Sequence, residues 1–360
     1  MWPHGEEWVH EAISETYLPL LNALYDLKNE GVAYRLTVSI TPILAEQLDD
    51  PLIKDHFETY AHERSVWATA DIDRFAASGD EKLKELAAFY RDWYDATLSA
   101  FRDRYGRDII GAFKKLQDDG YIEISTSAAT HGYLPLLSRD SSIVGQLRTV
   151  IRSYKRMFGR QPTAIWLPEC AYRPARPAEA TPEGIARPAI EEYLANQGIK
   201  VFFSETHTVE GGKPVGKAAG EAIGPHGEVH RRFKEIETGE LQETPGTTFK
   251  PYWVGNAAGK VAVLARNNRT GQQVWSGQFG YPGDAAYREF HRKDGVSGMQ
   301  YWAIGGPGTD LGDKPLYDPA TARERVKSHA DHFAGLVAEQ LREYREETGA
   351  PGLIASNYDT

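Results

Sequence analysis

In the stretch IWLPECAYRP an apolar run breaks at Pro168 and is followed at once by a carboxylate, Glu169, with Cys170, Tyr172 and Arg173 close behind. A second carboxylate, Asp359, follows the apolar segment GLIAS. Two carboxylates from different strands on one rim suit glycosidic bond cleavage, in which one attacks the anomeric carbon and the other protonates the departing oxygen. Other polar groups stand at comparable places: His131 in TSAATHGY after YIEIST, His207 after VFFSE, and Trp275 in QVWSG. Tyr252, Trp253, Tyr281, Tyr301 and Trp302 gather around the same connections. Flat rings with polar tips offer a sugar an apolar platform and hydrogen bonds.

Each of these residues has a structural alternative. Glu169 could serve only as an ion-pair partner of Arg173, His131 as a satisfied turn histidine, and Trp166 and Trp275 as core. Cys170 has no basic neighbour and no matching Cys-His pattern, and reads as a small buried thiol. His226 and His230 in HGEVH lie among Gly and Pro, with the glutamate one place too late for the helical zinc motif, and read as solvated loop. His329 and His332 share a helix face near Asp331 without a third ligand. Neither a metal nor an organic cofactor is expected.

The elements that must position these groups follow from periodicity. Trp8, Val9, Ala12, Ile13, Tyr17, Leu20, Leu21 and Leu24 recur three and four apart, which predicts a helix with one buried face. Ala33 to Ile40 reads as a strand, and about 45–120 as purely helical, a long insertion. Strands at 121–126, 163–167, 199–204 and 260–266 alternate with helices at 141–158 and 188–197; QVWSG and GLIAS read as two more strands, and 319–347 as a long helix. Alternation of this kind argues for a parallel sheet or barrel of βα units, whose chemistry lies at the carboxyl ends of the strands. Residues 205–259, rich in Gly, Pro and charge, interrupt the rhythm and read as an active-site cover.

Composition bounds the partners. The chain has 360 residues, 41% of them hydrophobic, a single cysteine and a formal net charge of -10. The charge repels phosphate backbones and no Lys/Arg cluster stands out, so nucleic acid is not expected as a partner. No apolar run reaches membrane-spanning length, so no membrane association is expected. MWPHGEEWVHEA has neither the basic start nor the apolar core of a secretion signal, and a cytoplasmic location is the expectation.

Taken together, the segments MWPHGEEWVHEAI, TPILAEQL, EISTSAATHGYLPLL, WLPECAYRP, QVWSGQFGYPGDAAYREFHRKDGVSGMQYW and SNYDT resemble glycoside hydrolase family 57, in particular its α-1,4-glucan branching enzymes. The resemblance implies a distorted seven-stranded (β/α) TIM-like barrel acting on α-glucans by a retaining mechanism. Glu169 resembles the nucleophile and Asp359 the general acid/base. His131 and His207 resemble histidines lining the donor sugar's site, Trp275 an aromatic platform there, and the loop of about 208–259 with Tyr252 a flexible cover. Trp2 and Trp166, within the matching motifs, are further candidates for substrate binding. The family pattern has a first strand ahead of the MWP-like residues and continues past the YDT-like segment into a helical domain. The expectation is therefore a single barrel domain over 1–360 lacking its first strand segment and its C-terminal helical domain, poorly stable and impaired in activity. A 4-α-glucanotransferase, an α-amylase and a catalytically impaired glucan-binding fragment are the alternative readings.

Overall fold

The computed structural model describes residues 5–181, 184–212, 215–219, 233–237, 242–243, 246–256, 259–277 and 280–357. Helix α1 (Glu6–Ala12) runs through a π turn, Ile13–Tyr17, into α2 (Leu18–Asn29). Ile13, Leu21 and Leu24 are buried as their spacing predicts, but Trp8 is 64% exposed. The π turn adds a residue per turn and changes the phase of the buried stripe, so Trp8 falls off it. After strand β1 (Leu36–Ser39) and helix α3 (Pro42–Asp49), two long helices pack against each other, α4 (Pro51–Ser78) and α5 (Glu81–Ser99).

Local chemistry sets their ends. The Asp50 carboxylate accepts from the backbone N–H groups of Leu52 and Ile53 at 2.8 and 3.2 Å, and Pro51 needs no donor partner at the first helical position. Gly79, at φ 79°, stops α4 in a left-handed conformation. Phe57, Tyr60, Ala61, Ala68 and Phe75 of α4 share one core with Leu86, Ala87, Tyr90, Tyr94 and Leu98 of α5. A second π turn, Ala100–Arg104, leads to α6 (Ile109–Asp118).

The βα rhythm then begins: β2 (Ile122–Ser125), α7 (Asp140–Phe158), β3 (Ala164–Trp166), α8 (Ile190–Asn196), β4 (Val201–Ser204) and the one-turn α9 (His207–Glu210). Short antiparallel pairs follow, β5 (Gly211–Gly212) with β8 (Gln242–Glu243) and β6 (Val215–Ala219) with β7 (Phe233–Glu237). Next come the hairpin of β9 (Tyr252–Asn256) and β10 (Gly259–Ala265), helix α10 (Asn268–Trp275) and the long α11 (Pro319–Thr348).

β1 pairs parallel with β2, β3 with β4 and β4 with β10, and a single parallel bridge, Thr126 to Ile165, joins the first pair to the rest. β9 lies antiparallel on the outer edge of β10, and among the described residues the result is an open, mixed arrangement of mainly parallel strands, not a closed barrel. Ile165 and Phe202, with Leu167, Val261 and Val263, pack against Ile143 and Leu147 of α7 and Ile190 and Leu194 of α8. Alternate residues point the other way. Trp166 and Phe203 meet there with ring centroids 6.0 Å apart, half-buried on the face away from α7 and α8.

Two expected strands are not strands. QVWSG is the end of α10 and the turn after it, because the Asn267 side chain accepts from the Thr270 N–H at 3.0 Å and starts a helix that runs through Trp275. GLIAS makes one parallel bridge, Ala355 to Arg266. It meets β10 where that strand is already turning into α10, so there is no length of ladder to form.

Candidate active site

Parallel pairing brings the carboxyl ends of β2, β3, β4 and β10 to one edge, and the next residues of each strand form the site. After β3 the chain passes Leu167 and Pro168, and then Glu169 and Cys170 both take left-handed conformations, at φ 56° and 54°. The Cys170 N–H donates to the Leu167 carbonyl at 2.8 Å, closing the turn. This turn sends consecutive side chains opposite ways: Glu169 outward, with 71% of its side chain exposed, and Cys170 into the interior. After β2 a similar reversal occurs at His131, φ 54°.

The two turns face each other. His131 Nε2 lies 3.4 Å from Glu169 Oε1, and His131 Nδ1 is 3.1 Å from the hydroxyl of the fully buried Ser127. When Ser127 donates to Nδ1, the imidazole carries its proton on Nε2 and presents it to the carboxylate. Glu169 is thus paired with His131 and not with Arg173, whose Nη1 donates to the Pro174 carbonyl.

A second group sits on the same edge. Glu205, after β4, and Arg266, after β10, form an ion pair, and the Thr206 hydroxyl donates to the Arg266 carbonyl at 2.7 Å. The guanidinium carbon lies 5.9 Å from the Trp275 ring centroid. Trp275 Nε1 donates to the Asn357 carbonyl at 2.8 Å, and the Asn267 N–H to the Ala355 carbonyl at 2.9 Å. These bonds fix the chain at this edge as far as Asn357.

Cys170 connects the two groups. Its thiol is pushed up to about 12, first by burial and then by the charge of the nearby Glu205 carboxylate. A thiol with that value is a poor nucleophile at neutral pH. Alkylation of the native protein by iodoacetamide at pH 7.5 is expected to be slower than in denaturant by about tenfold or more, checked by mass spectrometry. The sign for stability follows. Because the folded value is raised, the contribution is intact below the free thiol's value of about 8.5 and is lost as pH rises from there towards 12.

The remaining candidates are placed as follows. His207 is exposed and opens α9. The Tyr252 hydroxyl accepts from the Thr247 N–H at 2.7 Å, beneath Lys250, so it is already engaged within its own segment. Trp166, the last residue of β3, meets Phe203 with the two rings tilted by 32°. Asp359 and Trp2 lie outside the described residues, as do His226, His230 and much of the expected cover loop. His329 and His332 are held by the hydroxyls of Tyr287 and Tyr281 at 2.7 and 2.8 Å, and His329 also meets Asp284 at 3.3 Å. Among the described residues no group of three His, Cys, Asp or Glu side chains could hold a metal ion. Sequence reasoning missed Ser127, Glu205 and Arg266. Ser127 stands four residues before His131, but serine is too common beside a strand for that spacing to stand out.

An exposed carboxylate at the carboxyl edge of parallel strands, paired with a histidine from the neighbouring strand and with an anchored tryptophan on the same edge, is an arrangement of an α/β protein whose polar groups gather at its strand ends. The chain belongs to glycosyl hydrolase family 57, whose sequence pattern matches residues 3–301. It is 44% identical over its whole length to a 1,4-alpha-glucan branching enzyme of Thermococcus kodakarensis, of which it covers 50%. The solved branching enzyme of Pyrococcus horikoshii superposes with a TM-score of 0.84 at 41% identity, over all of this chain and 60% of that one. The alpha-amylase AmyC of Thermotoga maritima gives 0.78 at 27% identity, over 99% and 63%. The chain therefore spans half the length of the Thermococcus enzyme and under two thirds of the two solved structures.

Proposed function

We propose that this chain carries the catalytic site of an α-1,4-glucan branching enzyme, with Glu169 as nucleophile and Asp359 as general acid/base. The observation that carries the reading is the left-handed turn that exposes Glu169 beside His131 at 3.4 Å. Glu169 attacks the anomeric carbon while Asp359 protonates the departing oxygen, giving a covalent glycosyl-enzyme. Asp359 then deprotonates a glucan 6-hydroxyl, and the sugar is passed to it with net retention. His131, oriented by Ser127, donates to the carboxylate and fixes its direction of attack. Trp275, locked by Asn357, is the apolar platform for the donor sugar, with Trp166, His207, Tyr252 and Trp2 further along the glucan.

The same reading takes β1, β2, β3, β4 and β10 as five strands of a seven-stranded barrel, with the single bridge at Ala355 marking the place of a sixth. It makes 1–360 one catalytic domain, in which α4 and α5 are an insertion and 208–259 a cover. A role in storage-polysaccharide synthesis and a cytoplasmic location accord with the chemistry and with the single reduced cysteine.

Incubation with amylose tests the activity. Under this proposal α-1,6 linkages accumulate with few new reducing ends. Reducing ends rising without α-1,6 linkages would replace branching by hydrolysis, and absence of turnover by the purified protein would overturn the reading.

A further inference from the structure

The loop that follows Glu169 and leads into α8 contains a buried cation that forms no ion pair among the described residues. Arg173 is 2% exposed. Its Nη1 donates to the Pro174 carbonyl at 3.1 Å, which fixes the plane of the guanidinium. Its Nε and Nη2 are both covered and have no hydrogen-bond partner among the described residues. Those two atoms form one edge of the group, the parallel pair of N–H donors that matches two oxygens of an oxyanion. The hydroxyl of Tyr193, on α8, is likewise buried and without a hydrogen-bond partner among the described residues, and it lies near enough to Arg173 for each to act on the other's charge. Burial pushes that phenol up to about 12, so at neutral pH it keeps its proton as a donor.

Among the described residues two like charges and one carboxylate, Asp140, act on Arg173, and none of them forms an ion pair with it. Arg187 and Arg176 both act on it as like charges, and the two are drawn together by paired backbone hydrogen bonds of 2.9 and 2.8 Å. The nearby carboxylate, Asp140, accepts from Arg187 Nε at 2.8 Å and lies outside hydrogen-bond geometry with Tyr193, although close enough to raise its pKa. Arg187 spends a further donor on the Leu137 carbonyl. A desolvated guanidinium with an unspent bidentate edge is costly unless a counter-charge fills it.

We propose that Arg173 and Tyr193 hold one small tetrahedral oxyanion of the phosphate class between the loop and α8, at a site separate from the glucan-binding edge. The donors are fully covered, so the site takes the free anion and not a phosphate ester. The Arg173 carbonyl also accepts from the Ile190 N–H at 3.1 Å, so the anion braces the segment that begins four residues after Glu169.

Inorganic phosphate is the probe, titrated into the purified protein against sodium chloride at matched ionic strength, with melting temperature and calorimetric binding read together. The expected result is saturable binding that raises Tm. It is weakened several-fold by Tyr193→Phe, which removes only the hydroxyl, and about tenfold or more by Arg173→Lys, which keeps the charge but loses the fork. Arg173→Met is expected to abolish it. A hexose monophosphate should not compete. Absence of saturable binding to the wild type, an equal response in Tyr193→Phe and Arg173→Lys, or effective competition by the ester would each overturn the proposal. Should Arg173→Met fail to fold, the first two variants decide.

Discussion

Glu169→Gln will lower turnover on amylose by at least about 10³-fold while leaving the folded molecule and its glucan affinity intact. Glutamine has the shape of glutamate and can still accept from His131 through its amide oxygen, so the left-handed turn, the 3.4 Å approach and the burial of Cys170 have no reason to change. What disappears is the charge that, in the proposed mechanism, attacks the anomeric carbon. Glu169 is largely exposed and carries no core packing, so thermal unfolding should move by less than about 0.5 kcal/mol. Turnover is measured as α-1,6 linkages and reducing ends formed, and the fold by circular dichroism and melting. A variant that still branches or cleaves glucan would remove Glu169 from the mechanism, and one that unfolds would make it a structural residue.

The largest loss of stability is expected far from that edge. Asp71, 2% exposed on α4, accepts from the hydroxyl of the fully buried Tyr301 at 2.7 Å and from Arg74 Nε and Nη2 at 2.9 and 2.7 Å. Arg74 Nη2 continues to Asp294 at 2.8 Å. This network ties α4 to the connection at 294–301. Asp71→Ala strands a buried hydroxyl and takes one of two carboxylates from Arg74, at a cost of about 3–5 kcal/mol. Tyr301→Phe leaves the Arg74 pairs in place and should cost about 1–2 kcal/mol. Because the two share one bond, the double variant should cost less than the sum. Urea unfolding of the three proteins measures this. A loss below about 1 kcal/mol for Asp71→Ala would mean that the network is solvated and contributes little.

Local signals in the sequence accounted for the helices well and for the sheet partly. Asp50-Pro51 and Gly79 mark α4 because capping and left-handed stops depend on neighbours in the chain. The apolar runs at 122–125, 164–166, 201–204 and 259–265 are strands for the same reason, their burial requiring consecutive apolar or β-branched residues. Trp275 was harder. The β-branched and aromatic residues of QVWSG favour a strand, and only the pairing of Asn267 with Thr270, seen as a cap, reverses that reading. Trp8 fell outside the buried face because periodicity assumes an unbroken α-helix and the chain inserts a π turn.

For the site, the resemblance of motifs pointed to Glu169 and His131 but not to their meeting. They are 38 residues apart, and their approach depends on the pairing of β2 with β3 through one bridge, Thr126 to Ile165. Ser127, Glu205 and Arg266 were invisible for a related reason. Each acts through a partner on another turn or strand end, and no spacing along the chain encodes such a partner.

Glu169 and Cys170 are consecutive side-chain-bearing residues on the sparsely populated side of φ, a conformation that stores about 1–3 kcal/mol at each position. Neighbouring packing keeps that tension in place, so the turn behaves as a loaded spring whose catch is the rest of the fold. Any loosening of the catch lets the carboxylate swing away from its aim while most of the hydrogen-bonded framework is still standing. Heat should therefore silence this molecule before it melts it.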